Sequence, residues 1–218
     1  MSVRFTKIDR LTRGEHRFLN EEDDCYFIGE FTARKGYKHS ETNDQIISLK
    51  MKPGIRFSNP HRYKYKIIAI ENWAQKLFSA MSLFESSKWI WIPIPGSCPL
   101  GHPEYDDRLE RILHRAYGDD IDIKSIITQT NHRPAAHDSA DRPTPDQLIQ
   151  NWTLNRTPLT GNNYNFIVFD DVLTRGASFK AAEKMLRDAY PNSSILGVFL
   201  ARTVHDDGPA FDFNMFDD

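Results

Sequence analysis

Asp170 and Asp171 stand side by side between an apolar run, Phe166 to Phe169, and a loop of small and hydroxyl residues, Thr174, Arg175, Gly176, Ala177 and Ser178. Four consecutive apolar residues read as a strand buried on both faces. Phe179 to Tyr190 reads as the helix that follows. A loop entering a helix N-terminus presents unpaired N–H groups and the positive end of the helix dipole. Thr174 and Ser178 add hydroxyl donors, and Gly176 lets the backbone approach an anion closely. That is a phosphate cradle. Two carboxylates would repel a phosphate, but they accept hydrogen bonds from vicinal hydroxyls. A ribose phosphate therefore fits both halves, with the sugar on the acids and the 5′-phosphate in the loop. The competing reading is structural: Asp171 caps a turn and Asp170 is solvated.

A second loop of the same kind lies earlier. Trp89 to Ile92 reads as a dense apolar strand and runs into Pro93, Ile94, Pro95, Gly96 and Ser97. A buried strand that ends in a Pro/Gly/Ser turn is a second candidate ligand loop; an ordinary turn is the alternative. In α/β proteins ligands sit at the carboxyl ends of strands, where both loops would lie.

The twelve residues IVFDDVLTRGAS, Ile167 to Ser178, resemble the phosphoribosyl-pyrophosphate (PRPP) motif of type I phosphoribosyltransferases. Arg175 stands where a small or hydroxyl residue is commoner, Ala177 where Gly is common and Ser178 where Thr is usual. The apolar strand followed by Pro-Ile-Pro resembles the ComF-like branch, whose N-terminal cysteine-rich zinc ribbon is absent here. The resemblance implies transfer of a phosphoribosyl group from PRPP to a nitrogenous base, with release of pyrophosphate and dependence on Mg²⁺. Asp170 and Asp171 would hold the ribose hydroxyls and, through water, the metal, with Asp171 the better candidate for moving a proton. Thr174, Arg175, Gly176, Ala177 and Ser178 would hold the 5′-phosphate, and Ile94, Pro95, Gly96 and Ser97 the pyrophosphate. Arg108 and Arg111 could approach the pyrophosphate or be solvated helix charges. Family members also carry a mobile loop over the site; it falls in the polar stretch 129–155, with Arg133, His137 and Arg142 as candidate contacts. Phe211 or Phe213 could stack on a base or pack a C-terminal edge. Some proteins similar to this family only bind and regulate, so a non-catalytic sensor of PRPP or a nucleoside 5′-phosphate is the alternative. A homodimer or a regulatory protein partner is compatible with both.

The elements that must position these residues follow from pattern. Asp24 to Ala33 reads as a strand. Asp44 to Met51 reads as a helix capped by Thr42 or Asn43 and stopped by Pro53-Gly54. The basic, aromatic stretch Ile55 to Lys66 reads as a solvated loop and helix start, or as a surface for a nucleotide or partner. Apolar spacing predicts helices over 67–84 and within 98–117, the second stopped by Gly118. Ile121 to Thr128 and Ile195 to Leu200 read as strands, and Pro145 to Trp152 as a helix capped by Thr144 with Pro at its first position. The fold expected is α/β, a doubly wound, mostly parallel sheet of the type I phosphoribosyltransferase kind. Residues 1–60 form a small N-terminal lobe or lead-in, and residues 61–218 the core.

Composition narrows the function classes. With 218 residues, 27% charged and a formal net charge of −2, the chain can bury a core and shows no polyanion-binding balance. No nucleic-acid partner is expected. The N-terminus has no apolar leader and no stretch of 18 apolar residues occurs, so a soluble, cytoplasmic protein without a membrane partner is expected. Cys25 and Cys98 read as reduced thiols, neither in a CxxC nor in a Cys/His pair with ligand spacing. The lack of a His/Asp metal-ligand cluster disfavours a metal-dependent hydrolase.

Overall fold

The chain was described from a computed structural model covering residues 3–80, 89–132 and 142–205. From the N-terminus, β1 (Thr6–Lys7) pairs antiparallel with β2 (Cys25–Thr32). Then come α1 (Glu41–Leu49), α2 (Ile55–Ser58), α3 (Pro60–Ala80) and β3 (Ile90–Pro93). They are followed by α4 (Arg108–Tyr117), β4 (Asp122–Ile123) and β5 (Ile127–Gln129). The last part holds α5 (Pro145–Asn151), β6 (Trp152–Leu154), β7 (Asn165–Leu173), α6 (Ala177–Ala189) and β8 (Ser194–Val204).

The main sheet has the order β1-β2-β8-β7-β3-β4, and every pairing except β1–β2 is parallel. Parallel strands need crossovers, and the crossovers cover the faces with helices. That accounts for the unbroken apolar character of β7 and β8, whose central residues Phe166, Ile167, Val168, Phe169, Val198, Phe199 and Leu200 are all buried. Helix α3 packs against α1 and α4, while α5 packs against α6. The connection from β3 runs through α4 outward to β4; that from β7 runs through α6 the other way, to β8. Right-handed crossovers in opposite directions put α4 and α6 on opposite faces. The result is an α/β protein with a six-stranded, mostly parallel sheet flanked by helices. No helix among the described residues is long and apolar enough to cross a membrane.

Several local expectations hold in detail. Thr144 and Gln147 form a reciprocal capping box at the start of α5, with Pro145 at its first position. Gly118, at φ +58°, ends α4 and donates its N–H to the His114 carbonyl. Cys25 and Cys98 are both buried free thiols.

Other elements differ. Helix α1 starts three residues before the expected Asp44, because Ser40 is the N-cap and its Oγ accepts from the Asn43 N–H at 3.1 Å. Asn43 is instead wholly buried: its Oδ1 accepts from Thr32 N at 3.0 Å, and its Nδ2 donates to Thr32 O and Lys35 O. Helix α3 begins at Pro60, so the basic aromatic stretch is largely helical. Met81 and Phe84 of the expected helix lie outside the described residues. Within 98–117 only residues from Arg108 on are helical. The single strand expected over 121–128 is two: β4 extends the main sheet, whereas β5 pairs antiparallel with β6 in a small second sheet. Strand β7 runs through both acids to Leu173, and β8 continues to Val204, because β2 and β7 keep pairing with it. Residues 25–32 share the main sheet, so the N-terminal part is joined to the rest by backbone pairing.

Asn43 fastens β2 to α1 through two buried hydrogen bonds with Thr32, and holds Lys35 just beyond the strand with a half-buried third. Asn43→Ala should lower the unfolding free energy by about 1–3 kcal/mol, read as a shifted urea midpoint with unchanged slope.

Candidate functional site at the carboxyl ends of β3 and β7

β3 and β7 are neighbours in register, Ile90 opposite Phe166 and Pro93 opposite Phe169. The pairing is extended by one bond, from Ile94 N–H to Phe169 O at 2.9 Å. Pro95, Gly96 and Ser97 therefore leave the sheet level with Asp170 and Asp171. This is also where the connections diverge, β3 toward β4 and β7 toward β8. Such a switch point opens a crevice between the diverging loops.

Consecutive strand residues face opposite sides, and the two acids have different surroundings. Asp171 is buried. Its Oδ2 accepts from Arg108 Nε at 2.9 Å and Nη2 at 2.6 Å, and its Oδ1 lies 2.9 Å from Lys50 Nζ. Burial opposes its charge, but Lys50 and Arg108 outweigh burial and hold the carboxyl well below the ordinary range. Arg108 also bonds Asp106 at 2.9 Å; burial works against its charge, yet Asp171 and Asp106 raise its pKa overall. Asp106 in turn pairs at 2.7 Å with Lys66, a wholly buried lysine that also donates to Leu49 O and Met51 O. Burial, reinforced by Arg108 and Arg111, lowers the Lys66 pKa despite Asp106.

Asp170 is half-buried. Its Oδ1 accepts from the Asp171 N–H at 2.8 Å, and among the described residues no cation pairs with it. Burial, then the neighbouring Asp171 charge, push its carboxyl up to about 7. One acid is thus locked as an anion and the other titrates near neutrality.

The 174–178 loop turns at Gly176, φ +82°, which lies immediately before α6. A Cβ on Gly176 would meet Leu19 Cδ2 at 2.8 Å, so both its backbone conformation and its contact require glycine. Among the described residues, the N–H groups of Gly176, Ala177 and Ser178 have no acceptor. The loop is held from behind: His16 Nδ1 bonds Thr174 O, and Phe18 N donates to Arg175 O at 3.0 Å. His16 is wholly buried, and burial lowers its pKa. The Arg175 guanidinium lies over the Phe18 ring and donates to the carbonyls of Arg142 and Pro143.

The structure thus brings Ile94 to Ser97, Asp170, Asp171 and 174–178 to one sheet edge. Arg108 joins them as the partner of Asp171, whereas among the described residues the Arg111 side chain reaches only Tyr63 and Asp107. Arg142 enters through its backbone carbonyl. Arg133, His137, Phe211 and Phe213 lie outside the described residues. Lys50, Lys66 and His16 were missed by sequence reasoning, since a lone Lys or His carries no pattern. One absence read from sequence is corrected: Cys98 and His102 do have ligand spacing, and with His132 their ligand atoms lie within 4.8 Å of one another.

A cleft of about 820 Å³ lies elsewhere, between Phe18–Asp23, the start of α5 and the outer side of α6. None of the loop or acid residues above lines it. Most of its charges pair with one another, Lys180 with Asp23 and Glu183, Arg187 with Glu183, and Lys184 with Asp188, while Glu22 and Asp146 line it as well. We therefore place the candidate site at the sheet edge and not in this cleft.

Fold and site define an α/β protein with two loops and two acids at the switch point of a mostly parallel sheet. No protein-family model matches the chain, and no curated protein matches it significantly.

A carboxyl whose folded pKa exceeds its unfolded value stabilises the fold only while protonated. The contribution of Asp170 is therefore full below pH 4 and is lost as pH rises through about 7. Asp170→Asn, which keeps the bond to Asp171 N–H, should be more stable than wild type by about 1–3 kcal/mol at pH 8 and equal to it near pH 4, in denaturation series across pH.

Proposed function

We propose that the chain binds PRPP with Mg²⁺ across the carboxyl ends of β3 and β7 and acts as a phosphoribosyltransferase of the type I kind. The observation that carries this reading is the Ile94–Phe169 bond, which sets the 94–97 loop beside the acids and the 174–178 loop at the switch point. In this reading the free N–H groups of Gly176, Ala177 and Ser178 bind the 5′-phosphate. Gly96 and Ser97 bind the pyrophosphate; a Cβ at Gly96 would meet nothing within 4 Å, so that side of the loop is open.

The reaction breaks the bond from the anomeric carbon to the pyrophosphate oxygen and forms one to a ring nitrogen of the base. The carbon becomes oxocarbenium-like, so positioning and charge stabilisation dominate. Asp171, fixed as an anion by Lys50 and Arg108, supplies a constant negative charge close to that carbon. Asp170 takes the proton the nitrogen loses, since its pKa near neutrality suits it to that exchange. This reverses the preference for Asp171 drawn from sequence: both oxygens of Asp171 already hold cations. A hard cation beside Asp170 would keep its waters and reach the carboxyl only through one of them, leaving the oxygen itself to accept the proton. Mg²⁺ held there would supply positive charge to the leaving pyrophosphate.

The sensing alternative draws on a separate observation. Arg175 ties the phosphate loop to the carbonyls just before α5, so occupancy of the loop could be transmitted to that segment.

Two measurements test the proposal. Gly96→Ala has neither a positive φ nor a steric clash, so its melting temperature should match wild type while PRPP affinity falls roughly tenfold or more. Unchanged affinity would remove the 94–97 loop from the site. Pyrophosphate release from PRPP against a panel of nitrogenous bases separates the two readings: turnover establishes the transferase, and binding without turnover favours the sensor.

A further inference from the structure

The 94–97 loop leads directly into Cys98, which is 7% exposed. Pro99 to His102 then form a tight turn: His102 N–H donates to Pro99 O at 3.1 Å, with Gly101 at φ +87°. A third-position residue with positive φ is the glycine site of a type II turn. The turn folds the His102 ring back toward the Cys98 thiol. His132, three residues beyond β5, comes from a different part of the chain and stacks on His102, with ring centroids 5.1 Å apart and an angle of 17°. One ligand atom from each of the three lies within 4.8 Å of the others.

We propose that Cys98, His102 and His132 form a binding site for a borderline-soft divalent ion of the Zn²⁺ type. A thiolate with two imidazoles is a donor set that selects Zn²⁺ over Mg²⁺, which prefers oxygen. Ligand atoms around a tetrahedral ion stand roughly 3.5 Å apart, so small side-chain rotations close the site. Three protein ligands leave a fourth position open to water or another donor. Ser97 Oγ, 4.0 Å from the Cys98 sulfur, is placed to support the thiolate.

Binding has a structural consequence. In the structure Glu104 N–H donates to His102 Nδ1 at 3.0 Å. That bond must break whichever nitrogen ligates. If Nδ1 binds the ion, its lone pair is taken; if Nε2 binds, the ring proton moves to Nδ1, which then cannot accept. The ion would also clamp the exit of the 94–97 loop to the segment after β5. The site does not rest on the PRPP reading, although Ser97 belongs to both, and its sulfur and nitrogen donors disfavour Mg²⁺.

The test is titration of the purified chain, without a histidine tag, with Co²⁺ as spectroscopic probe, followed by displacement with Zn²⁺. One equivalent of Co²⁺ should give a thiolate-to-cobalt charge-transfer band that Zn²⁺ abolishes. Cys98→Ser should remove the band. His132→Gln, at an exposed position that leaves the fold intact, and His102→Gln should each weaken Co²⁺ binding roughly tenfold or more. Circular dichroism confirms that each variant is folded. The proposal is overturned if no charge-transfer band develops, if the band survives in Cys98→Ser, or if His132→Gln binds Co²⁺ like wild type.

Discussion

A carboxylate buried inside an apolar sheet is tolerable only if its charge is answered on the spot, and Asp171 sets that demand here. Desolvating an unpaired anion costs several kcal/mol, and removing a partner from a buried pair costs about 3–5 kcal/mol. The answer comes from two distant parts of the chain: Lys50, immediately after α1, and Arg108, at the start of α4. Arg108 is itself held by Asp106, and Asp106 by the buried Lys66 of α3. Lys66 spends its remaining donors on the carbonyls of Leu49 and Met51, which bracket Lys50. The chain of charges closes on itself and fixes α1, α3 and α4 against β7.

That closure separates two adjacent acids that look equivalent in sequence. Asp171 faces the cations and stays ionised. Asp170, on the other side of the strand, keeps an oxygen that no described cation engages, and its pKa moves toward neutrality because burial, and after it the fixed Asp171 charge beside it, disfavour its ionised form. Two titratable groups driven apart by their surroundings are what acid–base chemistry needs. The opposite side of the crevice is equally prepared: His16 and Phe18 brace the 174–178 loop from behind through carbonyls, leaving its N–H groups for a ligand.

Local pattern carried much of this into the sequence. The run Phe166–Phe169 announced β7, Thr144-Pro145 announced α5, and Gly118 ended α4, because each depends on neighbours a few residues away. Lys50, Lys66 and His16 were invisible for the opposite reason: their partners are 121, 40 and 158 residues distant, and nothing local distinguishes them from surface residues. Ser40 was passed over as a cap because Asn43, a good cap by type, is used instead as a buried bridge to Thr32. The 121–128 strand was split because Ile127 to Gln129 find an antiparallel partner in Trp152 to Leu154, a choice made by tertiary contact. The Cys98–His102 pair was read as lacking ligand spacing; the fold corrects that by bringing His132 beside it.

The central claim is that a ribose phosphate binds at the switch point between β3 and β7. A co-crystal structure of the chain with PRPP and Mg²⁺ tests it most directly. The account predicts the 5′-phosphate on the N–H groups of Gly176 to Ser178, the ribose hydroxyls beside Asp170, and the pyrophosphate against Gly96 and Ser97. Ligand in the cleft beside α6, or a sheet edge left empty at saturating PRPP, would contradict it.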